Sequence, residues 1–294
     1  MLALSLPALS LGLACGVLYS AGDFFRKAAP PACPAETILF YYIAGQLPVL
    51  AAWVWWTGET RIASGYLLPG AIDAAFGLAA NLLFIVSIRR SPLSLMIPLL
   101  ALVPVVALCM GGLLLGEWPT PRQHVGIVLI AAGLFILFQP PESKAGLGAA
   151  WRALRAQRGT APMLGVVLLW SSTPALDKLC LSYTTPGLHG LIQIGAIWSS
   201  LLLWAIVRGG KSLRLSPGAA RPVLASAIAG GGGYALQLLA YSLAMVALIE
   251  VLKRTVALLS SLLLGHAAFR EPLSVAKTAG IAVIAGGLVL VMLA

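Results

Sequence analysis

The chain is divided almost throughout into apolar runs of about 20 residues, the length that an α-helix needs to cross a bilayer. Of its 294 residues, 60% are hydrophobic and only 10% are charged. Breaks between the runs fall at proline, glycine or charged residues, which predicts an all-α integral membrane protein. The ten predicted spans are residues 5–27, 36–57, 66–88, 92–116, 122–139, 161–183, 187–207, 222–244, 246–269 and 273–293.

Composition and motifs exclude several classes of protein. The net charge of +10 is typical of basic cytoplasmic loops, and the aromatic residues do not alternate with basic patches, so we expect no nucleic-acid partner. The four cysteines and three histidines have no disulfide or metal-ligand spacing. No nucleophile elbow, carboxylate dyad or nucleotide-binding motif is present. We therefore expect no enzyme activity, no catalytic residues, no cofactor and no metal site.

The two halves of the chain resemble each other. At a shift of 154 residues the matches are Gly126 with Gly280, Gly133 with Gly287, and Glu117 with Glu271. This register predicts one five-helix repeat over residues 1–139, a basic linker over 140–160 and a second repeat over 161–294. Because each half has an odd number of spans, the halves take opposite orientations in the bilayer. Such inverted repeats are typical of secondary transporters, with a substrate site near the midplane.

The repeat also resembles a known family. Leu113-Leu-Leu-Gly116-Glu117, a polar turn and a helix from Gly126 through Gly133 are similar to the EamA-like signature of the drug/metabolite transporter superfamily. The second half departs from it, since Arg270 precedes Glu271, and Tyr19 stands where the motif prefers Trp. The resemblance implies an exporter or exchanger of a small solute. Locally, Lys253-Arg254 resembles the phosphate-holding pair of the triose-phosphate and nucleotide-sugar branch.

Charge predicts how the chain is oriented in a bacterial inner membrane. Of nineteen Lys and Arg residues, twelve lie in or close to loops 3–4, 5–6, 7–8 and 9–10, whereas only Arg61 and Arg122 lie in or close to the opposite loops. The positive-inside rule therefore predicts that both termini lie outside the cytoplasm. The family resemblance implies the reverse, with both termini inside.

One turn late in the chain carries the main candidate site. Glu250, Lys253 and Arg254 share a helix face at i, i+3 and i+4 inside an apolar span. Each charge at the helix centre costs roughly 2.5–3.5 kcal/mol by insertion scales, so the turn either binds a ligand or forms internal ion pairs near a helix end. A guanidinium beside an ammonium suits a phosphate or carboxylate. Lys27 and Lys178, at matching places in the two repeats, are further candidates.

Other polar residues at membrane depth complete the predicted site. Asn81, Gln237 and Tyr241 could hydrogen-bond a solute, although such groups more often bond neighbouring helices. Asp73 and Asp23 are candidate carriers of a coupling proton, since a desolvated carboxyl titrates nearer neutrality. An interfacial or ion-paired role for either carboxyl remains an open alternative.

These observations favour a secondary active transporter that moves a small polar, anionic or phosphorylated metabolite by alternating access. Its partners would be the solute, membrane lipid and a candidate coupling proton, and it would act as a monomer or homodimer. One alternative keeps the fold and exports amino acids or amphipathic cations. A lesser alternative is a lipid flippase or scramblase.

Overall fold

The computed structural model describes residues 5–27, 29–30, 33–58, 60–91, 97–137, 157–207, 213–269 and 275–292. Among these residues the regular structure is helical, apart from one isolated antiparallel β-bridge between Ile62 and Thr184. The α-helices of the described residues are α1 (Leu6–Lys27), α2 (Ala35–Ala44), α3 (Leu47–Thr57), α4 (Leu67–Arg90), α5 (Val103–Leu115), α6 (Pro121–Leu137), α7 (Thr160–Cys180), α8 (Pro186–Val207), α9 (Ala220–Leu243), α10 (Val246–Phe269) and α11 (Val275–Met292).

Several helical stretches are long and apolar enough to cross a membrane. Within the described parts of the chain, four meet both criteria: Glu36–Thr57, Ser64–Phe84, Pro186–Val207 and Pro217–Leu243. Shorter apolar helical stretches are Leu6–Gly22, Val106–Leu115 and Ala279–Val291. The helix boundaries fall within a few residues of the predicted spans where both are described, and the predicted linker over 140–160 lies largely outside the described residues.

Two predicted spans are not single α-helices. The span predicted over 36–57 breaks between α2 and α3, because Pro48 has no N–H to donate to the carbonyl of Ala44. Gly45 and Gln46 form the turn, and their N–H groups donate to carbonyls of the last turn of α2. The span predicted over 92–116 has a 3₁₀ segment, Ile97–Leu102, before α5 begins.

Glycines bring the last helix of each half into backbone contact. A Cβ atom added at Gly126 would lie 2.7 Å from the carbonyl oxygen of Gly287, and one at Gly133 would lie 2.8 Å from that of Gly280. The earlier glycine of α6 therefore meets the later glycine of α11, so the two helices run antiparallel at their contact. Side chains at these positions would keep the backbones apart.

A second set of close contacts places α1 against α9 and α10. A Cβ atom at Gly16 would lie 2.6 Å from the side chain of Val256, and one at Gly233 would lie 3.4 Å from the ring of Tyr19. Gly233 belongs to the Gly230–Gly233 run, which lies inside α9 without interrupting it. Small residues therefore let α1 approach both helices that carry the candidate site.

Neighbouring glycines on α11 allow a direct test of the α6–α11 contact. A Cβ atom at Gly287 would lie 2.6 Å from the carbonyl oxygen of Gly126, whereas nothing lies within 4 Å at Gly286. We expect Gly287→Ala to lower stability by about 1–3 kcal/mol through overpacking. Gly286→Ala should be neutral or stabilising by up to about 1 kcal/mol, because alanine favours helix. Thermal unfolding of the purified protein measures both, and equal stabilities would contradict the contact.

Candidate functional site

Glu250 is the centre of a buried hydrogen-bonded network between α9 and α10. Its side chain is only 1% exposed. Its Oε1 atom accepts a hydrogen bond from the Tyr241 hydroxyl at 2.5 Å and pairs with the Lys253 ammonium. Lys253 also donates to Oε1 of Gln237 at 2.6 Å. Oε1 of the carboxylate, the cation and the two neutral groups therefore satisfy one another, as burial away from water requires.

The local sequence explains this geometry. Gln237 and Tyr241 are four residues apart on α9, and Glu250 and Lys253 are three apart on α10, so each pair occupies one helix face. Only Ala244 and Met245 separate the two helices, which places these faces opposite each other. The contribution from the first half is Tyr19, whose ring centroid lies 5.4 Å from the Lys253 nitrogen, within cation–π range.

Arg254 is far less satisfied than Lys253. Its Nε atom lies 3.9 Å from Oε2 of Glu250, which is too long for a hydrogen bond. Neither of these atoms, nor the Thr255 hydroxyl, has a hydrogen-bond partner among the described residues, although all three are buried. The Arg254 side chain as a whole is 24% exposed. The turn therefore has one carboxylate for two cations, and Arg254 carries the less compensated charge.

Lys178 lies in a different contact, at the junction of α9 and α10. Its ammonium pairs with Oε1 of Glu117 at 2.5 Å and donates to the carbonyl of Ala244 at 2.6 Å. The other oxygen of Glu117 accepts the N–H of Val246 at 3.1 Å. The Lys178 cation thus bonds the C-terminal end of α9, and the Glu117 anion bonds the N-terminal end of α10. Each helix end therefore meets the sign of charge that its dipole favours. Glu117 belongs to the first half, and the other three residues to the second.

A third cluster brings together Asp73, Asp177 and His189, from α4, α7 and α8. One ligand-type oxygen or nitrogen of each lies within 4.8 Å of the others, and all three side chains are buried. The His189 Nε2 atom lies 2.9 Å from Oδ1 of Asp177 and 3.6 Å from Oδ2 of Asp73. The Tyr66 hydroxyl lies 2.9 Å from His189 Nδ1, and the Tyr234 hydroxyl donates to Asp177 at 2.9 Å. The cluster has the donor types that could hold a proton or a metal cation.

The predicted site residues are therefore distributed over three places. Glu250, Lys253, Arg254, Gln237 and Tyr241 lie together, Lys178 lies at the helix junction, and Asp73 lies in the third cluster. Asn81 donates to the carbonyl of Gly77 at 2.7 Å, inside its own helix. The side chains of Asp23 and Lys27 lie outside those that the structure describes.

Sequence reasoning missed His189 and Asp177. His189 shares no metal-ligand spacing with the other histidines, yet it is fully buried beside two carboxylates. Position within the membrane could have identified the cluster, because an ionisable residue inside an apolar span is a functional candidate by itself. Asp73, Asp177 and His189 are such residues, on the predicted spans 66–88, 161–183 and 187–207, and together they indicate a shared polar interior.

Removing Lys253 tests whether the Glu250 network stabilises the fold. Lys253→Ala leaves a buried carboxylate without its nearest cation, so we expect a loss of roughly 3 kcal/mol in stability. The double variant Glu250→Gln/Lys253→Met removes both charges and should recover most of that loss. Thermal unfolding in detergent compares the three proteins. A single variant as stable as the unmodified chain would show that the pair is dispensable.

Comparisons with known proteins identify a family that part of this chain resembles. Residues 6–139 match the model of the EamA-like transporter family. An uncharacterized protein of Methanocaldococcus jannaschii is 27% identical over 130 residues, which cover 44% of this chain and 95% of that protein. That relative is therefore about as long as one predicted repeat.

The likeness of fold extends over the whole chain. A solved crystal structure of another protein superposes with a TM-score of 0.78, covering 97% of this chain and 96% of that chain at 20% sequence identity. Residues 6–139 are therefore similar to the EamA-like transporter family, and the apolar helices indicate a multi-pass membrane protein.

Proposed function

We propose that the protein is a secondary active transporter of the bacterial inner membrane that moves a small polar metabolite bearing an anionic group. Its two five-helix halves would rock about a central site by alternating access. The substrate would meet the turn of α10 that carries Glu250, Lys253 and Arg254, where both halves of the chain contribute side chains. Tyr19 supplies the contribution of the first half.

The buried, unpartnered Nε atom of Arg254 is the observation that carries the anion proposal. Lys253 already donates to Glu250 and Gln237 and lies beside the Tyr19 ring, so its charge is largely compensated within the protein. Arg254 has only the distant Oε2 of Glu250 among the described residues. A guanidinium that retains free donors binds carboxylate or phosphate oxygens in a bidentate fork. We therefore assign the anion contact to Arg254 and a positioning role to Lys253.

The glycine contacts support two inverted repeats of five spans each. The 154-residue shift matches Gly126 with Gly280 and Gly133 with Gly287. In the structure the same four glycines meet crosswise, Gly126 with Gly287 and Gly133 with Gly280. Crosswise contact between corresponding residues is what two copies related by a two-fold axis in the membrane plane produce. In the first half, α2 with α3 would then count as one span, and Ile97–Leu102 with α5 as another.

Polar contacts that the first half makes with the second half at one end of the helices, and with the end of the linker at the other, would act as gates. At one end, Glu117 holds Lys178 and the N–H of Val246. At the other, Ser87 donates to the carbonyl of Gly159, whose N–H donates to the Ser91 hydroxyl. A few hydrogen bonds can be exchanged for water at low net cost, so such contacts suit a closure that must open in each cycle.

One observation favours a second candidate function, the export of amino acids or amphipathic cations. Oε2 of Glu250 is buried without a hydrogen-bond partner among the described residues. A free acceptor beside a free guanidinium donor suits a zwitterion, in which an ammonium group accompanies the carboxylate. Amino acids and amines therefore belong in the same binding screen as phosphorylated compounds and organic acids.

The anion proposal predicts that stabilisation by ligands depends on Arg254. Inorganic phosphate, sugar phosphates, organic acids, amino acids and amines are tested for an increase in the melting temperature of the purified protein. A ligand present at 100 times its dissociation constant stabilises the folded form by about 2.7 kcal/mol. We expect at least one anionic compound to act in this way, and Arg254→Gln to abolish its effect.

Arg221→Gln serves as the matched control, because Arg221 is an exposed arginine at the start of α9. It should keep the full ligand-induced shift. Stabilisation by amines alone, or an anion effect that survives in Arg254→Gln, would contradict the anion site. Stabilisation by amino acids but by no singly charged compound would favour the second candidate.

The gate at the α9–α10 junction predicts a change in accessibility of a native cysteine. Cys180 is fully buried, two residues beyond Lys178. In a background in which Cys15, Cys33 and Cys109 are replaced by alanine, a water-soluble maleimide should label Cys180 slowly. Glu117→Gln removes a charge-assisted bond worth about 1.5–3 kcal/mol, so labelling should quicken roughly tenfold or more.

Arg122→Gln is the control, because it removes an exposed charge close to Glu117 in the sequence, and it should leave the labelling rate unchanged. If Glu117→Gln folds normally by thermal unfolding but labels at the unmodified rate, the contact does not gate the site.

A further inference from the structure

The third cluster, formed by Asp73, Asp177 and His189, is a polar centre that the proposed anion contact does not use. The three side chains come from both predicted repeats, since α4 belongs to the first and α7 and α8 to the second. They are nearly or fully buried. Among described residues this is the group in which several histidine and carboxylate ligand atoms converge closely enough to share one cation.

The imidazole of His189 can donate its N–H to only one of the two carboxyl groups in the cluster. With Nε2 protonated, neutral His189 donates to Asp177 at 2.9 Å and accepts the Tyr66 hydroxyl on Nδ1. The same Nε2 atom lies 3.6 Å from Asp73, beyond hydrogen-bond distance. One imidazole N–H therefore serves one carboxylate, while the other lies within a few ångströms of it. Two carboxylates this close, away from water, favour the binding of a further proton.

Among the residues that the structure describes, the groups around the cluster supply no fixed positive charge. The titratable side chains around the cluster are Tyr66, Cys180 and Tyr234, with Tyr19 and Tyr241 further away on α1 and α9. Lys178 follows Asp177 in the chain, but its ammonium lies on Glu117 and Ala244. Without a permanent cation at the cluster, a mobile one must balance the two carboxylates.

One face of α9 joins this cluster to the Glu250 network. Tyr234 donates to Asp177, and Gln237, one turn later, accepts from Lys253. Three residues of helix span about 4.5 Å along the axis. Because Tyr234 is bonded to the cluster, a proton bound there changes the hydrogen bond of Tyr234, and a movement of α9 in response changes the contacts of Gln237 and Lys253.

We propose that Asp73, Asp177 and His189 form a reversible proton-binding site whose occupancy is coupled, through α9, to the site on α10. The proton is shared between the carboxyls and the imidazole, enters from one side of the membrane and leaves to the other. The coupling part rests on the proposed transport function, whereas proton binding by the cluster does not.

Infrared difference spectroscopy of the purified protein tests proton binding without any substrate. Titration between about pH 5 and 9 should reveal the carbonyl stretch of a buried carboxylic acid that loses its proton as the pH rises. Asp73→Asn, which keeps the size of the side chain, should remove or shift that band. His189→Gln should shift its midpoint, and Asp73→Glu should restore a titrating band.

Glu36→Gln, at the start of α2, is the control that removes a carboxyl elsewhere and should leave the band unchanged. A spectrum with no titrating buried carboxyl, or a band that persists unchanged in both Asp73→Asn and Asp177→Asn, would overturn the proposal. So would tight binding of Mn²⁺ or Zn²⁺ by calorimetry that Asp73→Asn abolishes, because the cluster would then be a metal site. The wild-type titration remains decisive if a variant fails to fold.

Coupling is tested with the stabilisation by anions. In the unmodified protein the shift in melting temperature should change with pH across the titration of the band, and in Asp73→Asn it should not. If no anion stabilises the protein, the proposed function and the coupling fail together while proton binding stands. If anions stabilise it but no carboxyl titrates, the proton site fails and the transport proposal stands.

Discussion

Charged groups buried in an apolar environment must find partners inside the protein, and this requirement determines how the central helices of this chain meet. Glu250 is almost completely buried and is held by Tyr241 and Lys253. Asp177 is held by His189 and Tyr234 in the same way. Breaking one partner leaves an uncompensated charge, which costs more than either bond contributes. The relative positions of α9 and α10, and of α7 and α8, are therefore closely constrained.

Close helix contact makes those bonds possible. Glycine on α1 and on α9 allows Tyr19 to reach Lys253, and glycine on α6 and α11 allows the final helices to meet at their backbones. A larger side chain at these crossings would separate the helices by more than a hydrogen bond can span. Polar pairing and small residues thus act together, since the first supplies the attraction and the second the approach.

Helix α9 connects the functional elements of the molecule. Its polar face carries Tyr234, Gln237 and Tyr241, which contact two carboxylates and one lysine on two other helices, α7 and α10. Its C-terminal carbonyl is bonded by Lys178, and its glycine-rich segment packs on α1 and α2. A helix with polar contacts on one face and small residues on another can shift by exchanging partners, without losing a large packed surface.

Much of the fold followed from local pattern. Apolar length predicted most helix boundaries, and the i, i+3, i+4 spacing placed Glu250 on one helix face with Lys253 and Arg254, without deciding which cation it pairs with. Proline produced the differences, since Pro48 breaks a span that hydropathy alone reads as continuous. The assignment of Lys178 to the substrate site came from its matching position in the repeat. Its actual partner, Glu117, is 61 residues away in the sequence, and no periodicity records such a pairing.

The sequence by itself determined that the chain is helical, belongs in a membrane and carries charges on one turn of α10, because apolar length and helical spacing are local properties. Only the tertiary structure decided which charges meet. It separated Arg254 from the compensated Lys253, moved Lys178 to the helix junction and joined Asp73, Asp177 and His189. Such contacts depend on helix packing over distances of many residues, where glycine contacts and bond geometry select one arrangement among many that the pattern allows.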